Sequence, residues 1–493
     1  MPGIVTNGSS NRPGVTAVLN HLYRFRPVSS LLGGNRESEL EGCYIYFSPP
    51  EKLNDPLEGH REVIWKGDSV VWENFFQHFM DCLLIRNTQY FTGKFEALDF
   101  PIYPNYEVQA VPPENYKEIA GLVSRFFDSP NVKRHIAVLA FKEREVNRNE
   151  LMLHLRSIQS FAMHIISEVL VSYKLIEKGY GINGATHEEL LTVSTNLLNY
   201  FEGLGDELLE AEFDSSALAF LRSDDLVKGY ARLKIGESKN WTRLCIDFPE
   251  EFLTSRIRLT TSEWFVSCFM ENCENSAIWG TYGNNHQGVC LKFKVNNDEG
   301  QPGISLMKPG LKQGIKWWTQ TKFHFSKVSY TEKSPDLDFF CSLAGYGAQE
   351  VIDKWYTDKS GNVSSRKRDV FENHQQWHAD YHRDNFKSLT VKTRHWSNEQ
   401  EYRLILKSQF NSYIDEDDRK LRYNFDDLDG IIFGIKTADS DKYKLIEMVE
   451  RMCQTRNREE FTFYQSFYDS SADAIRYRPV AHVGKQGVRT HRD

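Results

Sequence analysis

A long stretch with helical periodicity, from about residue 115 to 235, lies between segments that have the pattern of β-strands. Apolar residues recur there at spacings of three and four, most clearly over 148–178 and 187–203. Thr186 directly precedes the second of these helices and is placed to cap it. Strands on both sides of a helical block predict an α+β fold: a mixed, mostly antiparallel split sheet, built from both chain ends, with a large inserted helical lobe.

The strand predictions rest on alternation and on turn residues at both ends. The sequence predicts strands in the following segments: "HLYRFR" (21–26), "GCYIYFS" (42–48), 252–268, "GVCLKFKV" (288–295), 402–406 and "LDGIIFGI" (428–435). A buried helix is expected over about 68–100. The predicted organisation is therefore a flexible arm (1–20), the N-terminal part of the body (21–104), the helical lobe (105–240), the C-terminal part of the body (241–470) and a basic flexible tail (471–493).

Composition excludes some classes of partner. The net charge of −8 gives no global attraction to nucleic acid or to an anionic membrane, so any such partner would need a local patch. The eight cysteines contain no C-x-x-C pair, which indicates reduced thiols and no common zinc site. The N-terminus has no apolar signal region, and the most apolar stretch, 161–176, is too short to span a bilayer. We expect a soluble, cytoplasmic protein with no membrane partner.

Three charged residues alternate before an apolar run in "EQEYRLIL" (399–406). On a strand Glu399, Glu401 and Arg403 would share one face. Two carboxylates on one face repel each other unless cations lie opposite, and Arg24 and Arg26 on the first predicted strand could supply those cations. The alternatives are a catalytic surface and an ordinary cross-strand ion-pair ladder.

Two other groups of residues could carry chemistry. Trp279, Tyr282 and His286 fall within eight residues and could form an aromatic pocket with a titratable edge, or could be packing residues and a turn histidine. His378 and His382 lie four apart, which in a helix places both on one face with metal-like spacing. Because the H-E-x-x-H glutamate is missing there, an ordinary polar helix is the favoured interpretation and no metal is expected.

Five motifs, in the same order, resemble the bacterial domain-of-unknown-function family 2971. They are "LYRFR" (22–26), "YFSPPEKLNDPLEG" (46–59), "IWGTYGNNHQGVCLKF" (278–293), "WSNEQEYRLIL" (396–406) and "GIIFGI" (430–435). The family usually has a compact body, so this resemblance also implies that the helical stretch is an insertion. The family name implies no activity.

A fainter similarity is to the ADP-ribosyltransferase superfamily. "LYRF" resembles its first-strand motif, "GCYIYFS" its second, and "EQE" its glutamate motif. The resemblance implies that Arg24 binds NAD, that Tyr46 or Tyr44 stacks on the nicotinamide, that Glu401 is catalytic and that Glu399 orients the acceptor. A fixed carboxylate suits this chemistry, because a glycosidic bond breaks through a positively charged transition state.

The first hypothesis is therefore an NAD-consuming ADP-ribosyltransferase or NAD glycohydrolase, acting as a bacterial toxin or antiphage effector on an unknown acceptor macromolecule. Trp279, Tyr282 and His286 would line its NAD pocket. The second is a non-catalytic sensor or partner-binding module of a defence system, whose helical lobe recognises a regulatory protein. The third is a metal-dependent nuclease that uses His378 and His382.

Overall fold

The computed structural model describes most of the chain and divides it into two compact units. The described residues are 19–34, 37–55, 63–93, 100–104, 116–179, 186–209, 223, 226, 229–230, 234, 238–260, 263–297, 300–312, 315–331, 336–407, 413 and 415–490. The α+β unit comprises Met1–Gly59, Glu263–Lys333 and Leu389–Asp493. The helical unit comprises His60–Ser262 and Ser334–Ser388. The predicted arm lies almost wholly outside the described residues.

The strands, numbered in chain order, follow. They are β1 (His21–Arg26), β2 (Tyr44–Tyr46), β3 (Val63–Ile64), β4 (Trp264–Met270), β5 (Val289–Lys294), β6 (Gly303–Lys312), β7 (Ile315–His324), β8 (Ser326–Lys327), β9 (Ser329–Thr331), β10 (Leu337–Asp338), β11 (Val391–Thr393), β12 (Glu401–Lys407), β13 (Lys420–Tyr423), β14 (Leu428–Phe433), β15 (Phe461–Asp469), β16 (Ala474–Gly484) and β17 (Gly487–Thr490).

The α-helices of the described residues are Val28–Leu32, Ser69–Phe91, Tyr116–Asp128, Pro130–Ala140, Arg148–Ser172, His187–Leu190, Thr192–Leu204, Lys239–Thr242, Phe248–Leu259, Ser276–Thr281, Phe339–Ser342, Ala348–Lys354, Ser365–Lys367, His374–Leu389 and Asp439–Arg456. The predicted helix over 68–100 is confirmed as Ser69–Phe91, whose cap is Asp68. Thr186 forms the predicted cap as part of a capping box with Glu189.

The α+β unit contains two large sheets and a two-stranded parallel sheet of β9 and β11. Within the described part of the chain, the larger sheet has nine strands in the order β17-β16-β15-β14-β5-β1-β4-β12-β8, and the smaller has four in the order β2-β13-β6-β7. Neighbours pair antiparallel in both sheets, except that β14 and β15 are parallel and flank the helix Asp439–Arg456. The predicted α+β class with mixed, mostly antiparallel strands is confirmed.

The nine-stranded sheet has two buried faces. One, which we call the core face, carries Leu22, Phe269 and Leu404 and packs on the smaller sheet and on Asp439–Arg456. The other carries Phe25, Met270, Cys290 and Ile432 and is covered by the short helix Ser276–Thr281, so we call it the helix face. Because side chains alternate along a strand, each residue of β1, β4 and β12 is assigned to one of these faces by the pairing register.

The helical unit has its own aromatic core. Trp72, Phe75, Phe252, Phe339 and Trp355 meet there, and their rings contact one another mostly edge to face. The long helix Arg148–Ser172 supplies the centre of this core and begins where Asn147 accepts a hydrogen bond from the Glu150 N–H.

The unit boundaries differ from the predicted ones. The helical unit begins at residue 60 and includes 334–388, which were expected in the body, because Phe339, Phe340 and Trp355 pack in its core. The strand predicted over 252–268 is wrong in its first half. Phe248–Leu259 is a helix, with Pro249 in its first turn, acidic residues near its start and arginines near its end, which suits the helix dipole.

The flexible tail predicted for residues 471–493 is also wrong for the described residues. Ala474–Gly484 and Gly487–Thr490 are β16 and β17 of the nine-stranded sheet. β16 pairs with β15 along its length, and Ile475 and Val483 are buried. The basic side chains that suggested a solvated tail alternate along the strand with residues that pack on the sheet. This alternation is typical of an edge hairpin with one solvent-exposed face.

Candidate functional site

Glu401 and Arg403 form a buried ion pair on the helix face. They lie at the start of β12, opposite Met270 and Cys268 of β4. Arg403 donates from Nε to Glu401 Oε1 (2.8 Å) and from Nη2 to Glu401 Oε2 (3.3 Å), and from Nη1 to the Leu389 carbonyl (2.7 Å). Both side chains are 1% exposed. A charge this deeply buried must be paired, and this geometry satisfies most of the hydrogen-bonding capacity of both groups.

Lys392 of β11 joins this pair to Glu399. Its Nζ donates to Glu399 Oε2 at 2.8 Å and lies 3.4 Å from Glu401 Oε2. The ammonium also lies 4.7 Å from the centroid of the Trp396 ring, a cation–π distance. Two carboxylates and two cations therefore form one neutral group, which we call the ion cluster: Lys392, Glu399, Glu401 and Arg403.

The backbone at Gln400 explains how both glutamates reach one lysine. The sequence predicts alternation from Glu399 onward, but β12 begins at Glu401, and Glu399 ends a 3-10 turn. Gln400 between them is left-handed, with φ 45° and ψ 52°. A residue other than glycine costs free energy there, and such strain persists only where the surroundings hold it. The turn directs both carboxylates to Lys392.

Two tyrosines contact the ion cluster. The Tyr282 hydroxyl donates to Glu399 Oε1 at 2.5 Å, and the Tyr330 hydroxyl accepts the Glu401 N–H at 2.8 Å. Burial raises the pKa of Tyr282, and burial together with the Glu401 charge raises the pKa of Tyr330 to about 12. Both phenols are therefore protonated at neutral pH, and Tyr282 is half-buried beside the cluster.

Burial and charge act against each other in the cluster. Burial alone would lower the pKa of Lys392, but Glu401, Tyr282 and Glu399 raise it, so the ammonium stays charged. Burial raises the pKa of Glu401, and Lys392 opposes that rise. Burial lowers the pKa of Arg403 to about 10. The cluster is thus internally compensated and offers little net charge to a ligand.

Arg24 lies on the opposite face of the same sheet. It donates to Ser267 Oγ, donates from Nη2 to the Tyr46 carbonyl (3.2 Å), and packs with its guanidinium carbon 5.5 Å from the Phe269 ring centroid. Burial lowers the pKa of Arg24 to about 10. Ser267 and Phe269 are core-face residues, whereas Glu401 is on the helix face, so the sheet itself separates the Arg24 and Glu401 side chains.

The expectation that Arg24 and Arg26 lie opposite the two glutamates is therefore wrong. Arg26 pairs instead with Glu39, from Nε to Oε2 at 2.7 Å. The cations that balance the glutamates are Lys392 and Arg403. Strand alternation places Arg24 and Arg26 together on one face, but it does not determine which face, because that depends on the register between distant strands.

Tyr44 and Tyr46 belong to β2 in the smaller sheet, not to the nine-stranded sheet. Tyr44 is buried and donates its hydroxyl hydrogen to the Glu37 carbonyl (3.0 Å). Tyr46 is half-buried, and its ring lies 5.7 Å from the Arg419 guanidinium. The residues expected to share an NAD site, Arg24, Tyr46 and Glu401, are therefore not brought together as side chains.

The three residues of the predicted aromatic pocket lie near one another but differ in their contacts. The Trp279 and His286 rings stack with centroids 6.4 Å apart, and Tyr282 packs against the hydrophobic cluster that contains Trp279. Trp279 is fully buried, donates its indole N–H to the Cys273 carbonyl (2.8 Å) and packs edge to face on Phe25. It is a packing residue of the helix face. His286 lies on the following turn with φ 67°, and burial and Lys436 lower its pKa. Of the three predicted residues, Tyr282 alone touches the ion cluster.

His378 and His382 lie on one face of the helix His374–Leu389, as the spacing predicted. Their Nε2 atoms are 3.0 Å apart and both residues are exposed. In the described part of the chain, no group of three or more histidine, cysteine or acidic side chains has a metal-binding arrangement.

The helical unit contains a second buried network, which the sequence did not reveal. Arg144 donates from Nη1 to Glu150 Oε2 (2.9 Å), and Glu150 Oε1 lies 3.6 Å from His154 Nε2. His154 Nδ1 is 2.6 Å from His135 Nδ1, and His135 Nε2 is 2.8 Å from Ser194 Oγ. Burial lowers the pKa of both histidines, so the pair is neutral and shares one ring proton.

A pocket of about 790 Å³ also lies in the helical unit. Its walls include Arg125, Asn131, Phe161, His187 and Leu191, which combine apolar and polar side chains. Such a concave site could hold a small ligand. It contains none of the predicted site residues. Among the described helices, none is both long and apolar enough to cross a membrane.

Sequence reasoning missed Lys392 and Tyr330. A signal for Lys392 was present, because two buried carboxylates require a cation and this lysine lies seven residues before Glu399. No local pattern indicates Tyr330, which reaches the cluster through the parallel pairing of β9 with β11.

Comparison with known families finds a match for one segment of the chain. Residues 278–404 match the family described as protein of unknown function (DUF2971), which confirms the predicted resemblance over that segment. No curated protein and no solved structure matches the chain. The matched segment includes Tyr282 and Tyr330 and all four residues of the ion cluster, so one family segment supplies the whole cluster.

Proposed function

We propose that the α+β unit is a non-catalytic module that binds a partner, and that the ion cluster holds its sheet together. The observation that carries this proposal is the state of Glu401. Its carboxylate is 1% exposed, and its oxygens are occupied by Arg403 and Lys392. A carboxylate that stabilises a departing nicotinamide must contact the ribose, and this one has no free approach.

The position of Arg24 supports the same interpretation. An ADP-ribosyl-transfer site needs its cofactor-binding cation and its carboxylate on one side of the sheet, but these two side chains contact opposite faces. The NAD-consuming activity, the toxin or antiphage role and the cytoplasmic location stay predictions. Tyr282 is half-buried, so a ligand can reach part of its side chain. Tyr282 and its partner Glu399 are therefore the residues that would serve such an activity.

Incubation with NAD tests the proposal. The purified chain is incubated with NAD, alone and with cell lysate, and nicotinamide release is followed by chromatography. The variants are Glu401→Gln and Glu399→Gln, and Glu271→Gln is the matched control because Glu271 makes an exposed ion pair with Lys327. We expect NAD to stay intact with every protein, and Glu401→Gln to lose stability.

Nicotinamide release by the wild type that either variant abolishes, while that variant keeps its circular dichroism spectrum, would overturn the proposal. Including both glutamates keeps the test decisive if Glu401→Gln fails to fold. Release that survives in both variants would also contradict a binding role and would move the chemistry away from the ion cluster.

A further inference from the structure

The smaller sheet of the α+β unit has one face in the core and one face outward. Ile45, Leu306 and Leu421 point into the core. The register places Tyr46 beside Lys420, and Arg422 beside both Tyr44 and Met307, on the opposite side. The same side continues along β6 and β7 through Pro309, Trp318, Gln320 and Lys322. We call this surface the open face.

Three large apolar side chains on this sheet are exposed and lie close together in the strand register. Trp318 is 43% exposed and Met307 36% exposed on the open face, and Trp317, on the other side of the β6–β7 hairpin, is 48% exposed. Tryptophan is highly buried on average, and adjoining exposed apolar side chains, unlike single ones, mark surfaces that bind a partner. The Arg422 guanidinium lies 5.6 Å from the Trp318 ring centroid, so the ring already stacks with a cation.

The β6–β7 hairpin is a local basic patch in a chain whose overall charge is negative. The hairpin, residues 303–324, contains four lysines and no aspartate or glutamate, whereas the whole chain has a net charge of −8. On the open face Lys322, Lys420 and Arg422 are cationic. Glu37 lies 3.5 Å from Lys420 and 3.6 Å from Arg422, and so reduces the charge at the β2–β13 end. The excess of positive charge is therefore on the hairpin.

We propose that the open face binds single-stranded nucleic acid, with bases stacked on Trp318 and phosphates near the hairpin lysines. This inference rests on the proposed function and names its partner. Aromatic platforms with adjacent cations bind single strands, because every unpaired base offers a π-face and every nucleotide carries a phosphate. A duplex hides its base faces in the stack, so the exposed tryptophans favour the single strand.

A binding measurement tests this inference. Fluorescein-labelled dT20 and rU20 are titrated with the purified full chain and followed by fluorescence anisotropy, and a 20-base-pair duplex and phosphatidylserine vesicles serve as competing probes. We expect single strands to bind more tightly than the duplex. With about four phosphates contacted, affinity should fall on the order of 50-fold between 50 and 200 mM NaCl, because cations are released from the strand.

Surface variants locate the site. Trp318→Ala should weaken single-strand binding about tenfold through lost stacking, whereas Trp318→Phe should retain most of it. Lys322→Glu should weaken binding and reduce its salt dependence. The matched control is Tyr468→Ala, because Tyr468 is 55% exposed on β15, away from this sheet. All of these side chains are at the surface, so the variants should fold.

Four outcomes of these measurements would overturn the inference. These outcomes are no binding of dT20 or rU20 at 50 mM NaCl, equal binding of the duplex, an unchanged affinity of Trp318→Ala, or binding of vesicles alone, which would assign the surface to a membrane. The same preparation is assayed for nicotinamide release. Intact NAD without oligonucleotide binding overturns only this inference, whereas nicotinamide release overturns the proposed function.

Discussion

Each unit of the molecule contains a glutamate that is 1% exposed and paired with an arginine, and the net pKa shifts of these two glutamates are opposite. Glu401 pairs with Arg403 and Glu150 with Arg144, and each of the four side chains is at most 4% exposed. Burial raises the pKa of Glu401, and the nearby Glu399 adds to that rise. Burial alone would raise the pKa of Glu150 as well, but Arg144 and His154 lower it.

The difference lies in what each pair is connected to. The Glu401 pair continues to Lys392, a cation that stays charged at any physiological pH. The Glu150 pair continues to His154 and His135, which are neutral in the folded protein but ionise near pH 6.5 when unfolded. Two similar ion pairs therefore belong to different networks. The network in the α+β unit keeps its charges at physiological pH, whereas acid disrupts the network in the helical unit.

The largest expected effect comes from removing either glutamate charge. Glu401→Gln and Glu150→Gln should each lower the free energy of unfolding by about 3–5 kcal/mol, because each removes the carboxylate that balances the charge of a buried arginine. Urea denaturation measures the loss, and hydrogen exchange on peptides assigns it to a unit. Glu168→Gln is the control, since its pair with Arg125 is exposed and is worth about 1 kcal/mol or less.

Removing both the glutamate and the arginine of each buried pair tests whether the two networks differ in energy. Glu150→Leu with Arg144→Leu should recover most of the loss of Glu150→Gln, because only neutral His154 remains beside the site. Glu401→Leu with Arg403→Leu should recover less, because buried Lys392 loses one of its two carboxylate partners. Equal recovery in the two units would show that their networks are energetically alike.

A smaller effect is expected from acid. His78, His135 and His154 of the helical unit all have lowered pKa values through burial. The unfolded chain takes up protons near pH 6.5 and the folded chain does not, so stability that is present above pH 6.5 is lost as the pH falls below it. We expect a loss of about 1–3 kcal/mol between pH 6.5 and 5.5.

Urea midpoints at pH 7.5, 6.5 and 5.5 measure this slope. His135→Gln should reduce the slope of stability against pH by up to the uptake of one proton, because the variant has no imidazole here that must stay neutral in the folded state. A flat profile in the wild type would contradict the neutral histidine pair.

The smallest expected effect is at the edge of the ion cluster. Tyr282→Phe removes the hydroxyl that donates to Glu399 and should cost about 1 kcal/mol, since Lys392 still holds that carboxylate. Thermal denaturation measures it. Tyr443→Phe is the matched control, because Tyr443 is 68% exposed. A loss above about 3 kcal/mol would mean that Tyr282 organises the whole cluster.

Much of the fold was predictable because its signals are local. The alternation in "HLYRFR" and "GVCLKFKV" identified β1 and β5, and the three-and-four spacing identified the helix Ser69–Phe91. Residues 252–259 misled because a helix with arginines in its last turn also alternates locally between charged and apolar residues. The domain boundaries were not predictable, since Phe339 joins the helical core although it lies 80 residues after Leu259, where the preceding helix of that core ends.

The candidate site was only partly predictable. Glu399, Glu401 and Arg403 were identified as a charged group, and Tyr282 was identified near it. The role of Lys392 required the pairing of β11 with β9, and the separation of Arg24 from Glu401 required the register of β4 against both of its neighbours.

Local sequence patterns were enough to establish strands toward both ends of the chain, helices between them and a charged strand whose carboxylates require cations. Tertiary structure alone decided which cations compensate it and on which face of the sheet Arg24 lies. The physical reason is that alternation is a property of each strand, with a period of two residues, whereas strand order and register depend on contacts between residues hundreds of positions apart.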